Sequence, residues 1–150
     1  MAEPPITLAE YRASRLDELI ALWRASFEAG VGVVDPHPLH EQRAYFVDKV
    51  LPQHAVRVAC AGDRLVGFIA ASPESVNQLF VRVGWQRQRI GSRLLEWAQS
   101  QSAGSLWLYT FAHNRVARRF YEQHGFVIEA EGYDPTWRLA DVRYRWTRAG

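Results

Sequence analysis

Residues 79–98 read LFVRVGWQRQRIGSRLLEWA, and the side chains in the middle of that stretch are of the kind that hold anions. Leu79, Val81 and Val83 alternate with Phe80 and Arg82 as in a half-buried strand, whereas Ile90, Leu94 and Ala98 recur at helical spacing. The turn between the two patterns therefore opens a helix. Its first backbone N–H groups lack intrahelical partners and carry the positive end of the peptide dipole, so a phosphate can be held there. Gln86, Arg87, Gln88 and Arg89 would surround that anion, above the backbone of Ile90, Gly91 and Ser92. On local pattern alone the segment fits equally well as a plain strand-to-helix connection with a solvated arginine face.

Other candidates for chemistry are sparse. The single cysteine, Cys60, lies in the alternating run Val56, Val58, Cys60 and reads as a buried structural thiol. His37 and His40 are too few to argue a metal site, and no metal is expected. Arginine supplies all of the basic residues except Lys49, yet the net charge is only +2, too slight to imply nucleic-acid binding. The arginines cluster locally: Arg82, Arg87, Arg89 and Arg93 form one group, and Arg115, Arg118 and Arg119 another, each where a helix begins. Taken alone, either group reads as a solvated helix face.

The elements that must position these groups can be read from the pattern. A chain of 150 residues suits one domain, residues 1–150, burying roughly 70% of its unfolded surface on folding. A first strand fits residues 6–12, and Ser14 with Asp17 three residues later resembles a capping box. Leu16, Leu19, Ile20, Trp23 and Phe27 then keep helical spacing to near Ala29. The breaker-rich stretch GVGVVDPHP (residues 30–38) forms a loop before a second short helix at about 39–51. Residues 56–61 and 65–71 flank Gly62-Asp63 as a hairpin, followed by strand 76–83, helix 89–102 and strand 106–111. Asn114 caps a further helix with Val116, Ala117, Phe120 and Tyr121 on one face and Gly125 past its end. Closing strands fit 126–131 and 139–147. The order β-α-α-β-β-β-α-β-α-β-β predicts a mixed, mostly antiparallel sheet of about seven strands with helices on both faces. It is parallel where a helix links the fourth strand to the fifth.

With both segments in view, the sequence resembles the GNAT superfamily of acyl-CoA-dependent N-acetyltransferases. The first motif, a strand followed by Q/R-x-x-G-x-G/A, is met by Leu79-Phe80-Val81 and then Gln86-Arg87-Gln88-Arg89-Ile90-Gly91-Ser92. The second, N-x-x-A-x-x-F-Y-x-x-x-G-F, is met by Asn114, Ala117, Phe120, Tyr121, Gly125 and Phe126. The resemblance implies an α/β fold in which the parallel fourth and fifth strands splay apart. The diphosphate of acetyl-CoA then sits on the turn at 86–92, and the pantetheine arm pairs with the backbone at Phe80 and Val81. Asn114 would touch that arm, Arg119 is a further candidate for a cofactor phosphate, and Tyr121 matches the general acid. One departure stands out: Arg89 replaces the first glycine of the phosphate loop. In helical geometry, with negative φ, no glycine is needed there, and its side chain swings outward or binds phosphate.

A phenol near pKa 10 keeps a proton at neutral pH to share with a leaving thiolate near 8.5. The general base is less legible. Family members often carry a carboxylate near the start of the fourth strand, where this chain has Asn77, and Glu74, His37, His40 and Glu41 are the substitutes. Deprotonating an amine of pKa about 10.4 at neutral pH costs roughly 4.6 kcal/mol, against about 1 kcal/mol near 7.8, so a site without a dedicated carboxylate favours low-pKa amines. The acceptor is expected between residues 27–41 and 131–138, where Tyr133, Asp134 and Trp137 offer an aromatic and acidic surface. Small primary amines and protein N-termini both fit. A non-catalytic acyl-CoA-binding regulatory module is the alternative. No P-loop, dinucleotide fingerprint, signal peptide or membrane span is present, so the expectation is a cytoplasmic monomer or homodimer without nucleic-acid or membrane partners.

Overall fold

The apolar run from Leu65 to Ala71 is interrupted only by Gly67, and a strand of that kind demands cover on both faces. In the computed structural model, which describes residues 4–86 and 88–149, it forms the body of β3 (Arg64–Ala71). Leu65, Phe68 and Ala70 pack into one apolar cluster, and Val66, Ile69 and Ala71 into another. β2 (Ala55–Ala61) divides in the same way, with Val58 and Cys60 against Ala59 and Ala61. α1 (Leu16–Val31) fills the first cluster with Leu16, Leu19, Ile20, Leu22 and Trp23; α3 (Ile90–Gln101) fills the second with Ile90, Leu94, Leu95 and Ala98.

The remaining elements follow the expected order: β1 (Ile6–Glu10), α2 (Leu39–Tyr45), β4 (Val76–Val81), β5 (Ser105–Phe111), α4 (Arg115–Gln123), β6 (Val127–Asp134) and β7 (Leu139–Thr147). The seven strands divide into two antiparallel sheets, β1-β2-β3-β4 and β5-β7-β6. Among the described residues a single parallel bridge, Ser75 to Trp107, joins them, with the Trp107 N–H donating to Glu74 O at 3.1 Å. Beyond that bridge β4 and β5 diverge. The cause is visible in β4, where Ala70 pairs with Gln78 and Ala71 with Val76, leaving Asn77 as an unpaired extra residue. Such a bulge bends its strand and ends regular pairing. Helices cover both faces of the first sheet only; on the second, Leu106, Leu108, Val142 and Tyr144 face the core while Tyr109 and all of β6 except Asp134 are exposed.

Three local expectations are corrected. Ser14 makes no capping box, because residues Ala13–Arg15 form a 3₁₀ turn and Arg15 takes the N-cap position without a side-chain cap. The acidic residues behind it serve elsewhere: Asp17 pairs with Arg43 at 3.1 Å, and a Glu18 oxygen accepts the Leu65 N–H at 2.9 Å. α1 runs through Gly30 to Val31 and stops where Gly32, at φ 79°, turns left-handed and donates to Glu28 O. The second helix is α-helical only to Tyr45, then widens to a π turn at Phe46–Val50 and tightens to 3₁₀ at Leu51–Gln53. Burial of Phe46 and Val50 holds that irregular stretch in place.

Gly67 lets α3 lie on β3. A Cβ built there would stand 3.1 Å from both Ile90 Cγ2 and the backbone Phe80 O. Gly67→Ala should therefore destabilise the fold by about 1–3 kcal/mol, read as a lower urea midpoint. An unchanged midpoint would show that this contact does not limit the packing.

Candidate active site

α1 lies across the opening between β4 and β5. Arg82 N–H donates to Val66 O at 2.8 Å, so antiparallel alternation turns the backbone groups of Phe80 into β3 and those of Leu79 and Val81 away from it. The Val81 carbonyl is met by Ser26 Oγ of α1, which donates to it at 2.9 Å. At the next residue, the ring of Phe27 stands 6.4 Å from both Phe80 of β4 and Phe111 of β5, and 4.9 Å from Trp137. Farther along, Gly30 faces Asn114: a Cβ on Gly30 would sit 3.6 Å from the Asn114 amide nitrogen. His113 Nε2 donates to Val31 O at 2.7 Å. Sequence reading missed Ser26 and His113. Ser26 did leave a signal, as a lone polar residue on a face otherwise made of Leu19, Ile20, Leu22 and Trp23.

The turn in which an anion is expected departs from the expected backbone at Arg89. That residue is the N-cap of α3 with φ 60° and ψ 17°, left-handed rather than helical. Glycine is common in this kind of motif because only it enters that region without a Cβ clash. The helix start has no side-chain cap, and its first intrahelical bond is Arg93 N–H to Arg89 O at 2.9 Å. The N–H groups of Ile90, Gly91 and Ser92 therefore precede any intrahelical acceptor, and a positive residue stands at the positive end of the dipole. Ile90 offers backbone only, since its side chain is in the core. Gln88 is exposed, Gln86 accepts the Gly84 N–H at 2.9 Å, and Arg87 lies outside the described residues. Gly91 has a second duty. A Cβ there would lie 3.2 Å from Phe120 Cζ and 3.6 Å from Val81 Cγ2, so β4, α3 and α4 converge on this one glycine.

Of the arginines grouped by sequence, several are structural ties. Arg82 donates to Leu65 O at 2.8 Å and pairs with Glu18. Arg93 reaches Ile6 O, and Arg118 binds both Ala112 O and the Tyr144 hydroxyl. Arg89 Nη2 approaches Glu96 at 3.4 Å, an exposed pair that holds it weakly; Arg119 is exposed.

Asn114 caps α4, its side-chain oxygen accepting the Ala117 N–H at 3.2 Å, and Gly125 at φ 87° closes that helix. Tyr121 is buried among the rings of Phe120, Phe126 and Tyr144 at 5.3, 5.7 and 6.3 Å. Among the described residues its hydroxyl has no hydrogen-bond partner, and burial pushes the phenol pKa upward. The substitutes for a general base are dispersed. Glu74 lines a pocket of about 450 Å³ with Trp107, Arg143 and Arg145 at the closed end of the split, while Asn77 is exposed at the bulge. His40 and Glu41 are exposed on α2. His37 differs, because its ring nitrogen Nδ1 donates to Asp35 Oδ1 at 2.7 Å. Of the expected acceptor wall, Trp137 packs on Phe27, whereas Asp134 Oδ1 accepts the N–H groups of Thr136 and Trp137 and Tyr133 is exposed.

Comparison with known proteins shows the family and the fold. The acetyltransferase (GNAT) domain model matches residues 52–128, and the chain belongs to that family of acetyltransferases. No curated protein sequence matches it. Among solved structures, the PaiA N-acetyltransferase of Thermoplasma acidophilum, in complex with coenzyme A, aligns with a TM-score of 0.75 at 19% identity over 95% of this chain and 99% of its own. Apo YjaB from Escherichia coli aligns with a TM-score of 0.77 at 24% identity, covering 97% of this chain and 99% of that one. YncA from Salmonella typhimurium, solved with its cofactor acetyl-CoA, gives 0.73 at 12% identity over 96% of this chain and 94% of its own. These likenesses establish the GNAT fold.

The left-handed Arg89 carries a measurable cost. Arg89→Gly should raise unfolding stability by up to about 1 kcal/mol, the relief of Cβ strain less the added freedom of the unfolded chain. Arg89→Val should lower it by about 1–2 kcal/mol, since a β-branched residue resists positive φ. Equal urea midpoints for the two variants would contradict that backbone geometry.

Proposed function

We infer that residues 1–150 form a single N-acetyltransferase domain that moves an acetyl group from acetyl-CoA directly to a primary amine. The observation carrying this reading is the convergence on Gly91. There the outward-turned backbone of β4, the uncapped start of α3 and the α4 helix bearing Tyr121 meet along one opening. The parts fit the donor's chemistry. A diphosphate would satisfy the orphan N–H groups of Ile90, Gly91 and Ser92 and offset the charge of Arg89, with Gln86 and Gln88 on the same turn, Arg87 between them in sequence, and Arg119 within the neighbouring helix. A peptide-like arm would find backbone partners at Val81, where Ser26 already occupies the carbonyl, while Phe80 lends its ring to the wall rather than its backbone. Asn114 keeps its amide nitrogen free of the cap and adjacent to Gly30.

Tyr121 is the acid in this reading. Burial keeps it protonated throughout the neutral range. An ordinary phenol is already some 1.5 pKa units weaker as an acid than a thiol, so full proton transfer to a thiolate costs about 2 kcal/mol or more. The phenol therefore acts first by donating a hydrogen bond to the charge that develops on sulfur, and passes its proton as the C–S bond opens. The acceptor is a small-molecule amine or a protein N-terminus entering on the α1 side, where Phe27, Phe111 and Trp137 form an apolar wall.

Isothermal titration should show acetyl-CoA binding in the micromolar range that weakens as salt is added. Tyr121→Phe should leave that affinity within about twofold while cutting turnover on any accepted amine by about 10²-fold or more. A folded protein that does not bind acetyl-CoA would overturn the donor site. Unchanged turnover would remove Tyr121 from the chemistry, and binding without thiol release for any amine would favour the regulatory-module reading.

A further inference from the structure

The loop joining α1 to α2 is held more firmly than a surface connection requires. Asp35 N–H donates to Glu28 Oε2 at 2.7 Å, Arg24 reaches the carbonyls of Asp35 and His37, and its Nε lies 3.5 Å from Asp35 Oδ2. Asp35 Oδ1 accepts both the backbone N–H of His37, at 2.9 Å, and its ring Nδ1–H, at 2.7 Å. The Asp35 side chain is only 10% exposed, whereas the His37 side chain is 49% exposed. Because a carboxylate only accepts, Nδ1 carries the hydrogen and Nε2 presents a lone pair. The ring stands edge-on to Trp137 at 5.8 Å, and Trp137 packs at 4.9 Å on Phe27, which stands between Phe80 and Phe111 where the strands diverge. An oriented imidazole with a free basic nitrogen thus flanks the acceptor side of the opening, in a chain with no carboxylate at the Asn77 bulge.

We propose that the Asp35–His37 pair accepts the proton of the incoming ammonium group, with His37 Nε2 as the catalytic base and Asp35 as the residue that positions it. This rests on the acetyl-transfer reading and supplies the base that reading lacks. One ammonium N–H proton moves to Nε2, directly or through one water, and the electron pair left on nitrogen forms the C–N bond to the acetyl carbonyl carbon. As the adduct collapses, the C–S pair leaves with sulfur, which takes the Tyr121 proton. The second nitrogen proton restores the phenol, and the imidazolium returns its proton to solvent. One proton ends on the thiol and one in solvent.

The charges around His37 are consistent with this role. Burial pushes the Asp35 carboxyl upward, but the backbone and ring hydrogen bonds from His37 and the charges of Arg24 and His37 hold it below its usual value, so it stays anionic at working pH. Arg24 and Glu28 face the loop from α1. In the β6–β7 turn beside Trp137, Asp134 is turned onto its own backbone and Arg138 follows Trp137 in sequence. At neutral pH an amine of pKa about 10.4 is uncharged in roughly one molecule in 2,500, so a base matters for such an acceptor and little for one already neutral.

The test compares His37→Gln and Asp35→Asn with the native chain, using phenethylamine, tryptamine and glycinamide as protonated acceptors and hydroxylamine as a neutral one. For a protonated acceptor, His37→Gln should lower kcat by about 10²-fold and abolish the acidic limb of the pH profile, while hydroxylamine turnover stays within about threefold. Asp35→Asn should keep a displaced acidic limb, with a smaller loss. Acetyl-CoA affinity should not change in either variant. Full activity of His37→Gln with the acidic limb intact would overturn the proposal, as would equal losses on protonated and neutral amines. A native chain that acetylates hydroxylamine but no protonated amine would also overturn it, leaving acetyl transfer itself standing. A native chain that neither binds acetyl-CoA nor acetylates any of the four would remove the function and this base together.

Discussion

The structure depends on the failure of β4 and β5 to pair. Two parallel strands that meet at Ser75 and Trp107 would ordinarily continue as one sheet, and each backbone group left without a partner costs free energy unless something else meets it. The extra residue Asn77 bends β4 away, and the molecule then manages the consequence from both sides. On one side α1 crosses the gap, with Ser26 on the Val81 carbonyl, the Phe27 ring between the diverging strands and Val31 tied to His113. On the other, α3 and α4 close over it at Gly91 and Phe120. What remains is the stretch of β4 around Leu79 and Val81 whose backbone groups face the gap instead of β3.

The same constraint explains why glycine and a strained arginine flank the divergence of the two strands. Gly67 lets α3 settle on β3, and Gly91 lets α4 settle on α3. Each removes a Cβ that would push the helix start away from the strand beside it. Arg89 pays for the abrupt change from turn to helix with a left-handed backbone, and its charge adds to a helix terminus that already attracts anions. Strain and electrostatic tension accumulate where a bound anion would relieve them, a common feature of functional sites.

Much of this was legible in the chain itself. Alternation in β3 and β4, the helical spacing of Ile90, Leu94 and Ala98, and the Asn114 and Gly125 caps gave the element order and the turn that opens α3. Other features were not legible, for physical reasons. Ser14 and Asp17 have the spacing of a capping box, but Glu18 is drawn to the Leu65 N–H and Arg15 takes the cap position, so long-range contacts decide that helix start. The left-handed geometry of Arg89 contradicts local propensity and is imposed by the junction. The facing of residues 27–41 and 131–138 came from the resemblance alone, because the packing of His37, Trp137 and Phe27 joins residues a hundred positions apart that no local pattern can pair. Asp134 shows the converse: its type and place suggest a cation-binding carboxylate, yet its Oδ1 is engaged by the N–H groups of its own turn.

The central claim is that an acyl-CoA donor lies along β4 with its diphosphate at the start of α3. Backbone amide NMR of the folded chain titrated with coenzyme A tests it directly. The largest shifts should fall on the amides of Val81, Ile90, Gly91 and Ser92, with the exposed strand β6 unmoved. Shifts confined to other surfaces, with those four amides unchanged at saturation, would contradict the account.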